Sequence, residues 1–209
     1  MGAREDILQR IKEANTGIEV RAVQRDYRRG PLTTTAGELP DLVTLLEERL
    51  VDYRATVVRC RPDGLASAVE RLVAAASPVL RAPGVPHEWC PAAEPDHEGL
   101  AAQDLDAYAA VLTAATVACA ETGTIALDAS PDQGRRAITL IPDLHVCIVR
   151  ADQVVASVPE MLSRLEGDRP ITFISGPSAT SDIELDRVEG VHGPRTLCVV
   201  LVETDEGDR

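Results

Sequence analysis

The sequence predicts an α/β fold on a mainly parallel sheet, and three observations carry that prediction. Short β-prone runs alternate with segments of helical period along the chain. A strand at residues 55–59, a helical stripe at 62–76 and a strand at 78–81 have the length of a βαβ unit, whose strands are parallel by default. Hydrophobic residues make up 44% of the chain but aromatics only 2%, so the core must be built from Ala, Val, Leu and Ile.

The elements follow in order. Residues 4–14 place Ile7, Leu8 and Ile11 at helical spacing among charges, and Asn15-Thr16-Gly17 ends that amphipathic helix. Residues 17–37 show no periodicity and include Gly30, Pro31 and a threonine run, which predicts an irregular arm. The expected organisation is therefore an N-terminal helix and arm at 1–37, then an α/β domain at 38–209. Arg25, Arg28 and Arg29 leave two readings open: contact with an acidic neighbour, or a solvated linker. Residues 39–51 form a second helix, with Leu42, Leu45, Leu46 and Leu50 on one face. The 62–76 helix opens on Pro62 and carries Leu65, Ala68, Val69, Leu72 and Val73 as its stripe. Residues 82–99, with four prolines and two glycines, read as loop.

Residues 108–128 carry apolar runs on both sides of Glu121-Thr122-Gly123-Thr124. They predict two buried strands joined by a tight turn, with Gly123 at positive φ or in close backbone contact. Residues 135–142 predict a short helix ended by Pro142. Residues 144–149 form a core strand with His145 at its start, read as a satisfied core histidine. Residues 152–165 predict a helix with Val154, Val155, Val158, Met161, Leu162 and Leu165 inward, split in two by Pro159. A buried strand at 171–174 runs into Ser175-Gly176-Pro177-Ser178, and residues 196–202 form the last strand. The acidic run at 203–208 reads as a frayed, solvated end.

Composition excludes several function classes. A net charge of −13 and a pI near 4.7 disfavour nucleic acid and anionic lipid as partners. The five cysteines, at 60, 90, 119, 147 and 198, are odd in number and lack a Cys-x-x-Cys pair. That argues against a disulfide framework, and no metal or cluster site is expected in this chain. His87 and His97 have no neighbour at metal-ligand spacing. No apolar run of about 18 residues occurs, so no membrane insertion is expected and the cytoplasm is the expected compartment. Gly-x-Gly-x-x-Gly, the P-loop pattern and Gly-x-Ser-x-Gly are absent, which disfavours dinucleotide, P-loop and serine-elbow chemistry.

Two polar turns stand out on this apolar frame. The segment from Ser175 to Glu184 carries Ser175, Gly176, Pro177, Ser178, Thr180, Ser181, Asp182 and Glu184. It predicts a site at the carboxyl end of a strand, where open α/β sheets place ligands. Backbone amides of Gly176 and residues 178–181, at a helix start, would form an anion nest. Asp182 and Glu184 either act on a ligand or orient Arg187 or Arg195. The second turn carries Thr122, Gly123, Thr124 and Glu121. In apolar surroundings the Glu121 carboxylate binds, takes a proton or attacks, or else caps backbone amides. His192, followed by Gly193, is open between proton transfer and a structural hydrogen bond.

Four blocks carry a family resemblance: Glu-Thr-Gly-Thr at 121–124, Arg-Arg-Ala-Ile-Thr-Leu-Ile-Pro-Asp-Leu-His at 135–145, Ser-Gly-Pro-Ser-Ala-Thr-Ser-Asp-Ile-Glu at 175–184, and Gly-Val-His-Gly-Pro at 190–194. Together they resemble the LUD domain family, specifically over residues 105–202. The resemblance implies a three-layer α/β/α sandwich of the NagB/RpiA/CoA-transferase-like kind. It also implies a subunit of a bacterial system oxidising L-lactate to pyruvate, with iron–sulfur clusters only in partner subunits. The pocket would take a small anionic ligand or a cofactor fragment, and a homodimer is left open. Two alternatives stand beside this reading. One is a stand-alone enzyme of the CoA-transferase or sugar-phosphate isomerase-like fold using Glu121. The other is a non-catalytic metabolite-binding regulatory module.

Overall fold

The computed structural model describes residues 2–17, 41–97, 99–177, 179–180, 188–189 and 193–203. The arginine-bearing arm at 18–37, Ser178, Ser181, Asp182, Glu184, Arg187, His192 and the acidic end at 204–208 lie outside them. Helix α1 (Ala3–Ala14) forms where its period predicts, but it buries no residue, and Ile7, Leu8 and Ile11 stay exposed. Helix α2 (Leu42–Asp52) opens on Asp41, whose carboxylate accepts from the backbone N–H groups of Val43 and Thr44.

The main sheet has six strands, all parallel. They are β1 (Thr56–Cys60), β2 (Val79–Arg81), β3 (Glu94–Pro95), β4 (Ala110–Ala114), β7 (Leu144–Arg150) and β12 (Thr196–Val202), in the order β1-β12-β7-β4-β2-β3. The last strand of the chain is thus near the middle, between β1 and β7. Side chains alternate along it as a strand buried on both faces requires. Cys198, Val200 and Val202 face α3 (Leu65–Val73), with Val69, Val146 and Ile148. Leu197, Val199 and Leu201 face α2, with Leu46, Leu50, Cys147 and Val149.

A second, four-stranded sheet shares the α2 face. It comprises β5 (Val117–Cys119), β6 (Thr124–Leu127), β8 (Val154–Val155) and β9 (Thr172–Ile174), in the order β8-β5-β6-β9. Strands β5–β6 and β6–β9 are antiparallel, and β5–β8 is parallel. A two-stranded antiparallel ribbon, β10 (Ala179–Thr180) with β11 (Val188–Glu189), follows. The layers are α3, the parallel sheet, then α2 with the small sheet. This is the α/β class the sequence predicts, with a sheet in the third layer that it does not.

Several expected elements change. The run at 108–119 is two strands, β4 and β5, in different sheets. At the crossing Ala115 is buried and Thr116 half-buried, so their polar groups need partners. Two buried glutamines supply them: Gln153 Nε2 donates to Ala115 O at 2.7 Å, and Gln133 Nε2 donates to Thr116 Oγ1 at 2.7 Å. The expected helix at 152–165 becomes a 3-10 turn (Ala151–Gln153), strand β8 and a short helix α5 (Val158–Ser163). Pairing with β5 takes Val154 and Val155 out of the helix. Pro159 lies in the first turn of α5, where no N–H is needed, so it starts the helix rather than splitting it. The helix at 62–76 divides into a 3-10 turn (Pro62–Gly64) and α3. The one at 135–142 is a single 3-10 turn, Arg136–Thr139. The loop at 82–99 contains the edge strand β3 and a 3-10 turn. A short helix α4 (Ala102–Leu105) follows that loop. The strand at 171–174 is not buried: β9 is an edge strand, and Phe173 is 50% exposed.

The carboxyl end of α2 is received by two glycines. Gly123 has φ +62, and a Cβ there would lie 2.7 Å from Arg49 Cβ. Gly176 has φ +94, and its Cβ would lie 2.8 Å from both Tyr53 Cβ and Tyr53 O. Each position combines a left-handed backbone with a contact that admits no side chain. Gly176→Ala and Gly123→Ala are each expected to destabilise the protein by about 1–3 kcal/mol. Gly167→Ala, where a Cβ meets open space, should change stability by under about 0.5 kcal/mol. Urea denaturation of the three variants checks this ordering.

Candidate functional site

A cavity of about 250 Å³ opens beside the loop that follows β9. Ser175, Gly176, Pro177 and Gly193 line it, together with Pro194, Arg136, Thr139, His145, Phe173, Ile174 and Leu197. His145 and Leu197 are each the second residue of their strands, β7 and β12. The cavity therefore lies at the amino ends of the central parallel strands. The expected position, at the carboxyl end of an open sheet, holds only for β9, which belongs to the small antiparallel sheet. Among the described residues after Pro177, the chain enters the ribbon at Ala179–Thr180, which contains Thr180, and the rest of the expected helix start lies outside them.

The two polar turns do meet. Thr122 Oγ1 donates to Thr124 Oγ1 at 2.8 Å, and Thr124 Oγ1 lies 2.9 Å from Ser175 Oγ. This hydroxyl chain links the β5–β6 turn to the cavity's rim. Thr122, Gly123, Thr124 and Glu121 are not among the lining residues. Gly123 packs under α2, and Glu121 is half-buried with its N–H donated to Ala156 O at 3.2 Å.

Arg136, Thr139 and His145 were not singled out for the site by sequence. All three fall within the 135–145 block that carries the family resemblance, so that block was the signal. Their arrangement shows why neighbouring arginines differ. Arg135 turns its Nε and Nη2 onto the Asp96 carboxylate, both at 2.8 Å, and Nη2 also donates to Leu100 O. It is a bidentate clamp between loops. Arg136 uses Nη1 for Thr139 Oγ1, at 2.8 Å. Its Nε and Nη2 edge meets no carboxylate or other acceptor among the described residues. The side chain reaches solvent at the cavity mouth, yet the surrounding protein lowers its pKa by partial desolvation.

His145 is 1% exposed, and its Nε2 lies 2.8 Å from Oγ1 of the equally buried Thr113 on β4. Burial, with a smaller contribution from the Arg136 charge, lowers its pKa to about 4. The imidazole is neutral at physiological pH. Among the described residues, the cavity thus combines the Arg136 cation, which meets no carboxylate among them, a neutral imidazole, the Thr139 and Ser175 hydroxyls and an apolar wall of Phe173, Ile174 and Leu197. Such a set has the chemistry to hold a small anion with an apolar end. A second groove, lined by Gln133, Gly134, Pro170 and Ile171 among others, shares Arg136 and Thr139 with it.

The LUD domain model matches residues 3–202. The chain belongs to the LUD domain family. It is 43% identical to lactate utilization protein C of Deinococcus radiodurans over 78% of this chain and 80% of that one. It is 29% identical to lactate utilization protein C of an Exiguobacterium species over 95% of each. The crystal structure of a DUF162 family protein from Deinococcus radiodurans matches 79% of this chain and 99% of that chain, at 37% identity and a TM-score of 0.68. Among the described residues of this LUD domain, no three His, Cys, Asp or Glu side chains gather as metal ligands. No described helix is long and apolar enough to cross a membrane.

The depressed His145 pKa has a thermodynamic consequence. Between about pH 6.5 and 4 the unfolded chain binds a proton at this position and the folded chain does not. The contribution of His145 to stability is therefore fully present above pH 6.5 and declines as pH falls toward 4, by on the order of 3 kcal/mol. Urea denaturation at pH 7 and pH 4.5 should show a smaller loss for His145→Gln than for the wild type. An equal loss in both would contradict a neutral buried imidazole.

Proposed function

We propose that this LUD domain protein works in bacterial lactate utilisation, and that its cavity binds a small carboxylate such as L-lactate or pyruvate. The names of its relatives support the system. The Nε and Nη2 edge of Arg136 supports the ligand, because that edge has the donor spacing that Arg135 uses on Asp96 and meets no carboxylate among the described residues. A cavity of about 250 Å³ falls below the ~300 Å³ at which pockets for drug-sized ligands begin. The fit is to a three-carbon acid rather than a whole nucleotide cofactor.

In this reading the chain is a binding subunit in the cytoplasm. Arg136 takes the carboxylate, and Ser175 with the backbone of Gly176 and Gly193 forms the rim. Partner subunits with iron–sulfur clusters carry the electrons. Glu121 is given no contact with the ligand, since it is not among the residues lining the cavity.

Titration calorimetry with L-lactate tests the reading. Arg136→Gln should weaken binding by about 10- to 100-fold, the loss expected when a charge-assisted bidentate pair is removed. Arg195→Gln, at an exposed pair with Asp143, should bind as the wild type does. Equal binding by Arg136→Gln and the wild type would contradict the assignment.

A further inference from the structure

Among the described residues, one ring nitrogen of His145 has no hydrogen-bond partner. A buried imidazole presents two nitrogens, and a purely structural histidine has both satisfied. Nε2 is engaged by Thr113 at 2.8 Å, while Nδ1 has no hydrogen-bond partner among the described residues. The ring is 1% exposed and lines the cavity that Arg136 guards. Among the described residues, the fully enclosed side-chain atoms without a partner are Arg81 Nε and Ser157 Oγ, so Nδ1 is not sealed in the core, and the space its ring borders is the cavity.

We propose that Nδ1 of His145 hydrogen-bonds an oxygen on the carbon adjacent to the ligand's carboxylate, so that His145 selects 2-hydroxy and 2-oxo acids over unsubstituted ones. This rests on the reading that Arg136 holds a carboxylate in the same cavity. With the carboxylate fixed at the mouth, the C2 oxygen turns toward the polar His145 side, and the methyl group meets Ile174, Leu197 and Phe173. Thr113 is the positioning residue, because its hydroxyl serves as either acceptor or donor. When Nε2–H donates to Thr113, Nδ1 presents a lone pair that accepts from a ligand hydroxyl. When Thr113 donates to Nε2, Nδ1 carries the proton and donates to a ligand carbonyl. One neutral imidazole thereby accommodates both a hydroxy acid and the oxo acid related to it by oxidation. An unsubstituted acid filling the cavity would close Nδ1 off from water without a partner, and a site with such a group discriminates strongly against the ligand that cannot satisfy it.

Calorimetry with L-lactate, pyruvate and propionate, on the full chain and on His145→Phe, tests this. The wild type should bind L-lactate and pyruvate at least about tenfold more tightly than propionate. His145→Phe should bring all three within about twofold of the wild-type propionate value. Nitrogen-15 NMR of the histidines gives a readout that does not depend on the variant folding. The Nδ1 resonance of His145 should move on adding L-lactate and stay in place on adding propionate. Equal wild-type affinity for lactate and propionate, a preference intact in His145→Phe, or an Nδ1 signal indifferent to bound lactate would each overturn the assignment. Each of those results leaves the Arg136 reading standing. A wild type that binds none of the three acids would overturn the Arg136 reading, and the selectivity with it.

Discussion

The carboxyl end of α2 lies against two bare backbones, and the geometry of the cavity depends on that contact. Gly123 and Gly176 belong to turns separated by about fifty residues of sequence, yet both touch the last residues of one helix, Arg49 and Tyr53. Leu46 and Leu50 anchor the helix on the face of the parallel sheet, so the two turns are referenced to the sheet through it. The Thr124–Ser175 hydrogen bond follows from this placement. So does the position of Ser175, Gly176 and Pro177 over the amino ends of β7 and β12. A side chain at either glycine would push a turn away from α2 and open the rim of the cavity.

The same architecture separates two adjacent arginines into different roles. The 3-10 turn Arg136–Thr139 directs consecutive side chains to different surroundings. Arg135 reaches the loop around Asp96 and Leu100, where a nearly buried carboxylate neutralises it. Arg136 is steadied by Thr139 at the cavity mouth, and its other edge meets no acceptor among the described residues, the edge assigned to the ligand in the proposed function. Below it, burial keeps His145 neutral, so of these two side chains only Arg136 brings a positive charge to the cavity. One cation over a neutral floor, as the described residues give it, suits a monoanion better than a polyphosphate.

The fold was legible where the signal was local. The period of α1, the leucine face of α2 and the apolar run of β12 are read from neighbouring residues, and the observed bounds fall close to the expected ones. The second sheet was not legible, because its strands are two to four residues long and defined by partners far away in sequence. Val154 and Val155 fit a helical stripe as well as a strand, and only pairing with β5 decides between them. The break between β4 and β5 depends on Gln133 and Gln153, whose side chains reach it from other loops.

The site was legible in part, for a related reason. Ser175, Gly176, Pro177 and Gly193 stand out as turn residues and do line the cavity. The sequence reads His145 as a core histidine, and it is one by burial; that its ring also lines a cavity is visible only in three dimensions. The usual position of ligands is at the carboxyl ends of parallel strands, whereas this cavity lies at the amino ends of β7 and β12. A crystal structure of the protein grown with saturating L-lactate tests the central claim most directly. The account predicts a carboxylate bound side-on to Nε and Nη2 of Arg136. An Arg136 edge already occupied by one of the protein's own carboxylates, with lactate elsewhere, would contradict it.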